Sequence, residues 1–311
     1  MRDSSQPESE RLAQVVVVLC TYNGAYYLPE QLQSLSAQTF RPNRLVVRDD
    51  GSTDDTLSIV RAWAEREGVE IQVLTGPRLG PARSFLEALK GAEEGDLFLF
   101  CDQDDVWLPT KIERALGLVP WGAGALPALC ATRLDVVDAS LQPLGQSPVP
   151  QELSFGSAAC ESLLTGCTMA FNAPFRSLLV RQMPQHVAMH DWWCYLVATG
   201  IRGATLQFDP TPSLLYRQHG NNLLGAKREG IVERTLRFGG RNSRVRSAQL
   251  DEFQRIYAGE LTPFAKELTS GILASRYSFG MRLKTAAFAG IRRQTFLSTV
   301  ATRLSLLLNR F

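Results

Sequence analysis

Apolar and polar positions along the first half of the chain follow a pattern that predicts an α/β fold. Continuous apolar, β-branched runs are typical of strands that are buried on both faces. Such runs occupy residues 14–20, 45–50, 71–75 and a stretch that begins at 96. Apolar residues at helical spacing predict helices at 28–38, 56–67 and 81–91. Because strand and helix alternate about every 25 residues, we expect a parallel sheet with right-handed crossovers.

The second half of the chain is more mixed and ends in a helical region. Strands are predicted at 129–137, at 165–172 and up to Tyr216, and helices at 174–182 and 191–199. Beyond residue 225, apolar and basic residues recur at helical spacing with few strand signals. We therefore expect a disordered leader at 1–12, an α/β domain at 13–224 and a basic helical region at 225–311. The best candidate for the boundary lies near 222–230.

The charge distribution changes the picture only for the C-terminal region. The 311 residues carry a net charge of +2, but residues 225–311 hold sixteen basic and six acidic side chains. Such a segment favours an anionic surface, either a membrane or a nucleic acid. It lacks a recognisable nucleic-acid-reading motif, so nucleic acid is the poorer option. Amphipathic helices lying on a membrane and helices packed on the protein or on a second subunit stay equal alternatives.

Cysteine usage and the N-terminus indicate a reducing compartment. Six scattered cysteines with mostly apolar neighbours and no CxxC pair predict free thiols. The polar start of the chain predicts no signal peptide, and no apolar run reaches the ~18 residues of a membrane span. We expect a cytoplasmic protein, with contact to the inner face of the membrane only from the side.

Three polar clusters each follow an apolar strand. They are TYN at 21–23, DDGS at 49–52 and DQDD at 102–105. One cluster alone would be an ordinary turn, since Asn, Asp, Gly and Ser dominate turns. Three in succession predict a ligand site, because ligands bind at the carboxyl ends of parallel strands.

The DQDD cluster has the chemistry of a metal site. On an extended chain, Asp102 and Asp104 would project to the same side. Two adjacent carboxylates are stable as anions when a cation lies between them, and oxygen ligands suit Mg²⁺ or Mn²⁺. An acidic loop or helix cap is the alternative interpretation.

The other two clusters could bind a nucleotide. Asp50 could accept hydrogen bonds from a base or a ribose, and Tyr22 could pack against a base. Dinucleotide oxidoreductases and P-loop NTPases lack their usual support here, because the chain has no GxGxxG or GxxxxGK[ST] loop.

The ordered segments CTYNGAYYLPEQLQSLSAQTF, VVRDDGSTDDT and FCDQDDVWLPTKIE resemble family-2 glycosyltransferases with the GT-A-type fold, over roughly residues 14–225. The resemblance implies a mixed, mainly parallel sheet flanked by helices, and inverting sugar transfer from a nucleoside diphosphate. It implies that the nucleotide is bound by Thr21, Tyr22, Asn23, Asp50, Arg83 and Asp102. It also implies that Asp102 and Asp104 hold the divalent cation.

The segment MHDWWCYLVA matches the place where this family keeps its catalytic base, which would be Asp191. Burial beside Trp192 and Trp193 would raise the pKa of Asp191, whereas the helix N-terminus would lower it. We expect the two tryptophans to contact the acceptor; an N-cap aspartate followed by core tryptophans is the alternative. A role for His190 stays open.

The segment YRQHG supplies the last candidates. His219 lies where a late histidine often completes the metal site in GT-A-type enzymes, although a structural histidine is equally compatible with the sequence. Arg217 could offset diphosphate charge.

The combined motifs look most like bacterial transferases of surface polysaccharides such as O-antigen, rhamnosyltransferases included. That resemblance suggests dTDP-rhamnose or a UDP-sugar as donor and a saccharide or lipid-linked saccharide as acceptor. A nucleotidyltransferase and a non-catalytic nucleotide-sugar-binding scaffold are the competing functions.

Overall fold

The computed structural model describes residues 12–92, 94–220 and 243–311. The strands are β1 Val15–Thr21, β2 Arg44–Asp49, β3 Glu70–Thr75, β4 Leu97–Cys101, β5 Val106–Trp107, β6 Ala128–Asp138, β7 Pro143–Gln146, β8 Ala170–Asn172 and β9 Thr205–Gln218. The helices of the first part are α1 Leu28–Ser36, α2 Thr56–Glu67, α3 Pro81–Gly91, α4 Lys111–Leu118, α5 Phe155–Ala158, α6 Ala173–Val180 and α7 His190–Gly200. The C-terminal helices are α8 Ser243–Tyr257, α9 Pro263–Ser275, α10 Phe279–Ala287 and α11 Phe296–Leu307.

All nine strands form one sheet in the order β3-β2-β1-β4-β8-β6-β9-β5, with β7 paired to β6. Strands β3, β2, β1 and β4 are mutually parallel, whereas β8 runs antiparallel to both of its neighbours. Parallel pairing returns between β6 and β9. The strand order reverses between β1 and β4, so the carboxyl ends of β1, β2 and β4 meet at one edge. This is where open α/β sheets bind ligands.

Strand β1 separates the two halves of the core. Its side chains alternate between a cluster that contains Val16 and Val18 and a second cluster that contains Val15, Val17 and Leu19. The first cluster packs under α3, α6 and α7, and the second under α1, α2 and α4. Burial on both faces explains why Val15 to Leu19 are all apolar.

The structure confirms the α/β architecture and corrects several boundaries. Helices α2 and α3 have the predicted limits. The strand predicted at 165–172 is shorter, because Gly166–Thr168 forms a turn of 3₁₀ helix before β8 begins. Strands β5 and β7 were not predicted. The leader up to residue 11 and the proposed boundary at 222–230 lie outside the described residues.

The C-terminal region is helical, as expected, and packs on the α/β domain. Phe253 of α8, Leu268 of α9 and Leu306 of α11 belong to the same apolar cluster as the residues of α3 and α7. Packing on the protein is therefore established for these helices. Within the described ranges, no helix is both long enough and apolar enough to cross a membrane.

Candidate active site

The TYN loop at the end of β1 is held by side chains of the two neighbouring loops. Gln103 accepts a hydrogen bond from the Tyr22 amide (2.9 Å) and donates one to the Tyr22 carbonyl (3.2 Å). The Asn23 amide donates to Ser52 (2.9 Å), and the Asn23 side chain accepts from the Thr53 amide (2.8 Å). Asn23 adopts a positive φ of 46° at this point. The loop is thus fixed from both sides, with the Tyr22 ring partly exposed.

The end of β2 carries two aspartates that organise loops. Asp49 accepts hydrogen bonds from the hydroxyl groups of Thr21 (2.8 Å) and Ser52 (2.6 Å). Asp50 accepts from the Leu79 and Gly80 amides and from the Ser84 hydroxyl, at the start of α3. These contacts satisfy both carboxylates within the protein.

Nucleotide binding by Thr21 and Asp50 stays a prediction, and both side chains are hydrogen-bonded within the protein in this structure. Thr21 is 3% exposed and Asp50 is 6% exposed. Both residues hold the loops that follow β1 and β2 at the carboxyl edge of the sheet. The side chains that reach the surface are those of Tyr22 and Arg78, whose guanidinium lies 4.0 Å from the centre of the Tyr22 ring. Arg78 was not predicted, whereas the predicted Arg83 is exposed on the first turn of α3.

Asp102, Asp104 and Asp105 lie in a turn after β4, which ends at Cys101. The expected strand-like alternation of Asp102 and Asp104 is therefore wrong, because the chain is no longer extended there. Asp105 is buried, and a carboxylate oxygen of Asp105, one of Asp102 and the Cys167 sulfur lie within 4.8 Å of one another. Sequence reasoning overlooked Asp105, although it belongs to the same motif.

Burial and mutual repulsion perturb these acids. Desolvation, followed by the charges of Asp104 and Asp191, raises the pKa of Asp102. Desolvation and the charges of Asp102 and Asp104 raise the pKa of Asp105 well above its ordinary value. Three acidic side chains of this turn and that of Asp191 thus interact electrostatically in one place, which a bound cation would relieve.

A buried lysine, Lys111, interacts electrostatically with Asp102 of the same turn. Lys111 donates hydrogen bonds to the Cys167 carbonyl (2.7 Å) and to the Ser213 hydroxyl (3.1 Å). Burial lowers its pKa to about 8. Lys111 was not singled out from the sequence, where it looks like an ordinary residue of the first helical turn.

His219 reaches the acidic turn, as the sequence predicts, and Arg217 serves another purpose. The His219 Nε2 lies 2.8 Å from Asp104 Oδ2, and the ring stacks on Tyr27. Arg217 is 2% exposed; its guanidinium donates to the carbonyls of Asp104 and Ala139 and pairs with Glu30. Arg217 therefore joins β9 to the acidic turn and is not available to a diphosphate.

Asp191 lies in the first turn of α7, and its carboxylate is almost fully buried. Oδ1 accepts from the Trp192 amide (2.6 Å) and Oδ2 from the Gly166 amide (3.2 Å). Burial raises the pKa of Asp191 to about 6, and the two amide hydrogen bonds lower it by less. Desolvation therefore outweighs the helix N-terminus, which answers the question left open by the sequence.

The two tryptophans after Asp191 belong to the core, which favours the alternative of core tryptophans, and their contact with an acceptor stays a prediction. Trp192 is 4% exposed and donates its indole N–H to the Ala158 carbonyl (2.6 Å). Trp193 is fully buried and packs against Phe253 and Tyr257 of α8. Because α7 is packed on all sides, its aromatic side chains are buried together with the rest of the helix.

His190, the residue before Asp191, is buried and uncharged. Its ring stacks on Phe85 with 4.1 Å between ring centres and meets Phe100 edge-on. Burial lowers its pKa to about 3, and within the described ranges neither ring nitrogen has a hydrogen-bond partner. A Cβ atom on Gly166 would lie 2.2 Å from His190 Nε2, so only glycine leaves room for this ring.

Comparisons with known proteins show similarity to glycosyltransferases. The model of the family "Glycosyl transferase family 2" matches residues 16–129. A dTDP-rhamnosyl transferase, RfbG of Shigella flexneri, is 28% identical over 238 residues, which is 69% of this chain and 78% of that protein.

Solved structures share the fold. The crystal structure of Staphylococcus aureus TarS 1–349 in complex with UDP-GlcNAc matches with a TM-score of 0.53 at 16% identity. The match covers 96% of this chain and 89% of the TarS chain. This chain spans 43% of a longer TarS structure. The mannosyltransferase PcManGT from Pyrobaculum calidifontis, in complex with GDP-Man and Mn²⁺, has a TM-score of 0.50 at 18% identity, covering 97% and 90%. The sheet and its helices thus have the GT-A fold of these glycosyltransferases, and residues 16–129 match the family-2 glycosyltransferase model.

Proposed function

We propose that this glycosyltransferase is inverting and uses a divalent cation to transfer a sugar from a nucleoside diphosphate to a hydroxyl group. The observation that carries the proposal is the convergence of Asp102, Asp104 and Asp191, whose charges interact at the carboxyl edge of the sheet. A cation site and a general base are thereby next to each other. An inverting displacement needs these two groups and no covalent intermediate.

The donor atoms of the site fit Mg²⁺ or Mn²⁺. Asp104 Oδ2 and His219 Nε2 already converge at 2.8 Å, and Asp102 lies close enough for its charge to interact with that of Asp104. We assign the cation to these three residues. The alternative set of Asp102, Asp105 and Cys167 includes a fully buried thiol, a soft ligand that these hard cations do not favour. When bound, the cation neutralises diphosphate charge and stabilises the leaving group.

Asp191 is the proposed base. Its carboxylate accepts the proton of the acceptor hydroxyl while that oxygen bonds to the anomeric carbon. The bond from that carbon to the diphosphate oxygen breaks on the opposite face, and the nucleoside diphosphate leaves with the electron pair. A pKa of about 6 leaves Asp191 ionised at neutral pH yet basic enough to accept the proton.

We propose that the donor is selected by the exposed side chains near the carboxyl ends of the strands. Tyr22 offers an aromatic face, with Arg78 at 4.0 Å as a cationic neighbour for a base or a phosphate, and Arg83 is an exposed cation on α3. The relative that transfers dTDP-rhamnose supports this donor, and the TarS complex supports UDP-sugars as the second choice. We propose a saccharide or lipid-linked saccharide of the cell surface as acceptor, used on the cytoplasmic side of the membrane.

One experiment tests the whole proposal. Nucleoside diphosphate release is measured with dTDP-rhamnose, UDP-GlcNAc and GDP-mannose, with Mn²⁺, Mg²⁺ or a chelator. We expect cation-dependent release with one donor class, and a loss of at least ~10²-fold in kcat for Asp191→Asn with donor binding retained. Asp251→Asn, an exposed position on α8, is the matched control. Turnover of Asp191→Asn near that of the wild type would remove Asp191 from the role of base.

A further inference from the structure

Helix α11 presents its most apolar side to solvent. Phe296 is 81% exposed and Leu297 79%, and Val300, Leu304 and Leu308 are exposed as well. At 3.6 residues per turn, these five side chains lie within an arc of about 120°. We call them the apolar face of α11. The opposite side of the helix, which packs on the protein, carries Ser298, Thr302 and Leu306.

The orientation of α11 is fixed by specific contacts. Thr295 and Ser298 form a capping box at its first turn. Arg303 donates to the carbonyls of Phe288 and Ile291, and Leu306 is buried in the large core cluster. A helix that buries small polar residues and exposes phenylalanine and leucine is reversed relative to an ordinary surface helix. Exposed apolar patches of this kind mark interaction sites.

The charges around this face indicate its partner. Residues 268–311 contain seven arginines and lysines and no aspartate or glutamate, and two of the seven, Arg292 and Arg293, pair with Glu152 and Glu161 of the α/β domain. Lys284 and Arg310 are exposed, and the neighbouring helix α10 adds exposed Phe279 and Leu283. An apolar stripe among basic residues is the composition of helices that lie in the interface of an anionic bilayer.

We infer that the apolar face of α11 docks the enzyme on a membrane surface that carries anionic lipid headgroups. A second copy of the chain fits less well. In a two-fold symmetric dimer the same patch meets itself, so basic residues would oppose basic residues with no acid in this segment to offset them. The inference does not depend on the donor or on the base, and it would bring a lipid-linked acceptor to the enzyme.

The test uses vesicles of phosphatidylcholine alone or mixed with phosphatidylglycerol, and the full-length enzyme. We expect co-sedimentation with the anionic vesicles, weakened by added salt because salt screens the attraction. The double variant Leu297→Glu/Leu304→Glu should bind at least about tenfold more weakly, since two leucines no longer enter the interface. Leu126→Glu, equally exposed but in a loop of the α/β domain, is the matched control and should bind like the wild type.

Two results would overturn the inference. One is wild-type protein that stays in the supernatant with anionic vesicles. The other is a wild-type dimer, seen by sedimentation velocity, that the double variant abolishes while vesicle binding is unchanged. Nucleoside diphosphate release in vesicle-free solution is measured in parallel. Normal release with lost vesicle binding separates a failure of docking from a failure of the catalytic proposal.

Discussion

The buried carboxylate of Asp191 predicts a specific pH profile. Its pKa is raised from 3.8 to about 6, chiefly because burial disfavours the charged form. A general base works only when ionised. Activity should therefore rise with pH through about 6 and be lost as pH falls below it.

The size of the effect follows from the shift. With a pKa of about 6, the ionised fraction is ~0.9 at pH 7 and ~0.1 at pH 5, so kcat/KM should fall about tenfold. An aspartate with the ordinary pKa of 3.8 would be more than ~0.9 ionised at both values and would give an almost flat profile.

The assay is kcat/KM for nucleoside diphosphate release between pH 5 and pH 8, at constant ionic strength and saturating cation. Asp102 has a raised pKa as well and could contribute to the profile. Asp191→Asn separates the two, because its residual activity should lose the step near pH 6 while any effect of Asp102 persists. A flat wild-type profile, with circular dichroism showing folded protein at pH 5, would refute the reasoning.

Two further substitutions address the surroundings of the base. Gly166→Ala would place a Cβ atom 2.2 Å from His190 Nε2 and would displace either that ring, which is held by Phe85 and Phe100, or the Gly166 amide that donates to Asp191. Displacing the proposed base should lower kcat by on the order of 10²-fold with donor affinity unchanged. Steady-state kinetics and nucleotide-induced thermal shift measure the two quantities. Trp193→Phe should lower the free energy of unfolding by on the order of 2 kcal/mol in urea titrations while the acceptor KM stays constant, because the ring is buried. A changed acceptor KM with unchanged stability in Trp193→Phe would instead support contact of Trp193 with the acceptor.

The elements were predictable where local sequence decides them. The limits of α3 follow from Gly80 and Pro81 at its start, and the buried strands follow from their continuous apolar residues. The carboxylates Asp102, Asp104 and Asp191 were identified because strand ends and a recognisable family pattern point to them. That Asp191 lies close enough to Asp102 to raise its pKa is a finding of the folded chain alone.

The remaining details depend on contacts between residues far apart in sequence. The contact of Gly166 with His190 and Asp191 joins positions 24 and 25 residues apart with no local signal. The burial of Trp193 depends on α8, more than fifty residues later. The prediction of an extended chain at Asp102 and Asp104 was wrong, because strand periodicity no longer applies where a strand ends in a turn.

The packing of α8 on α7 limits how modular this enzyme can be. Trp193 follows Asp191 by two positions and is covered by Phe253 and Tyr257 of the C-terminal region. Helix α7, which carries the proposed base, is thus covered on one side by the α/β domain and on the other by the C-terminal helices. Replacing the C-terminal helices would therefore require new packing around Trp193. If Asp191 is the base that we propose, acceptor choice and the C-terminal helices should be inherited together.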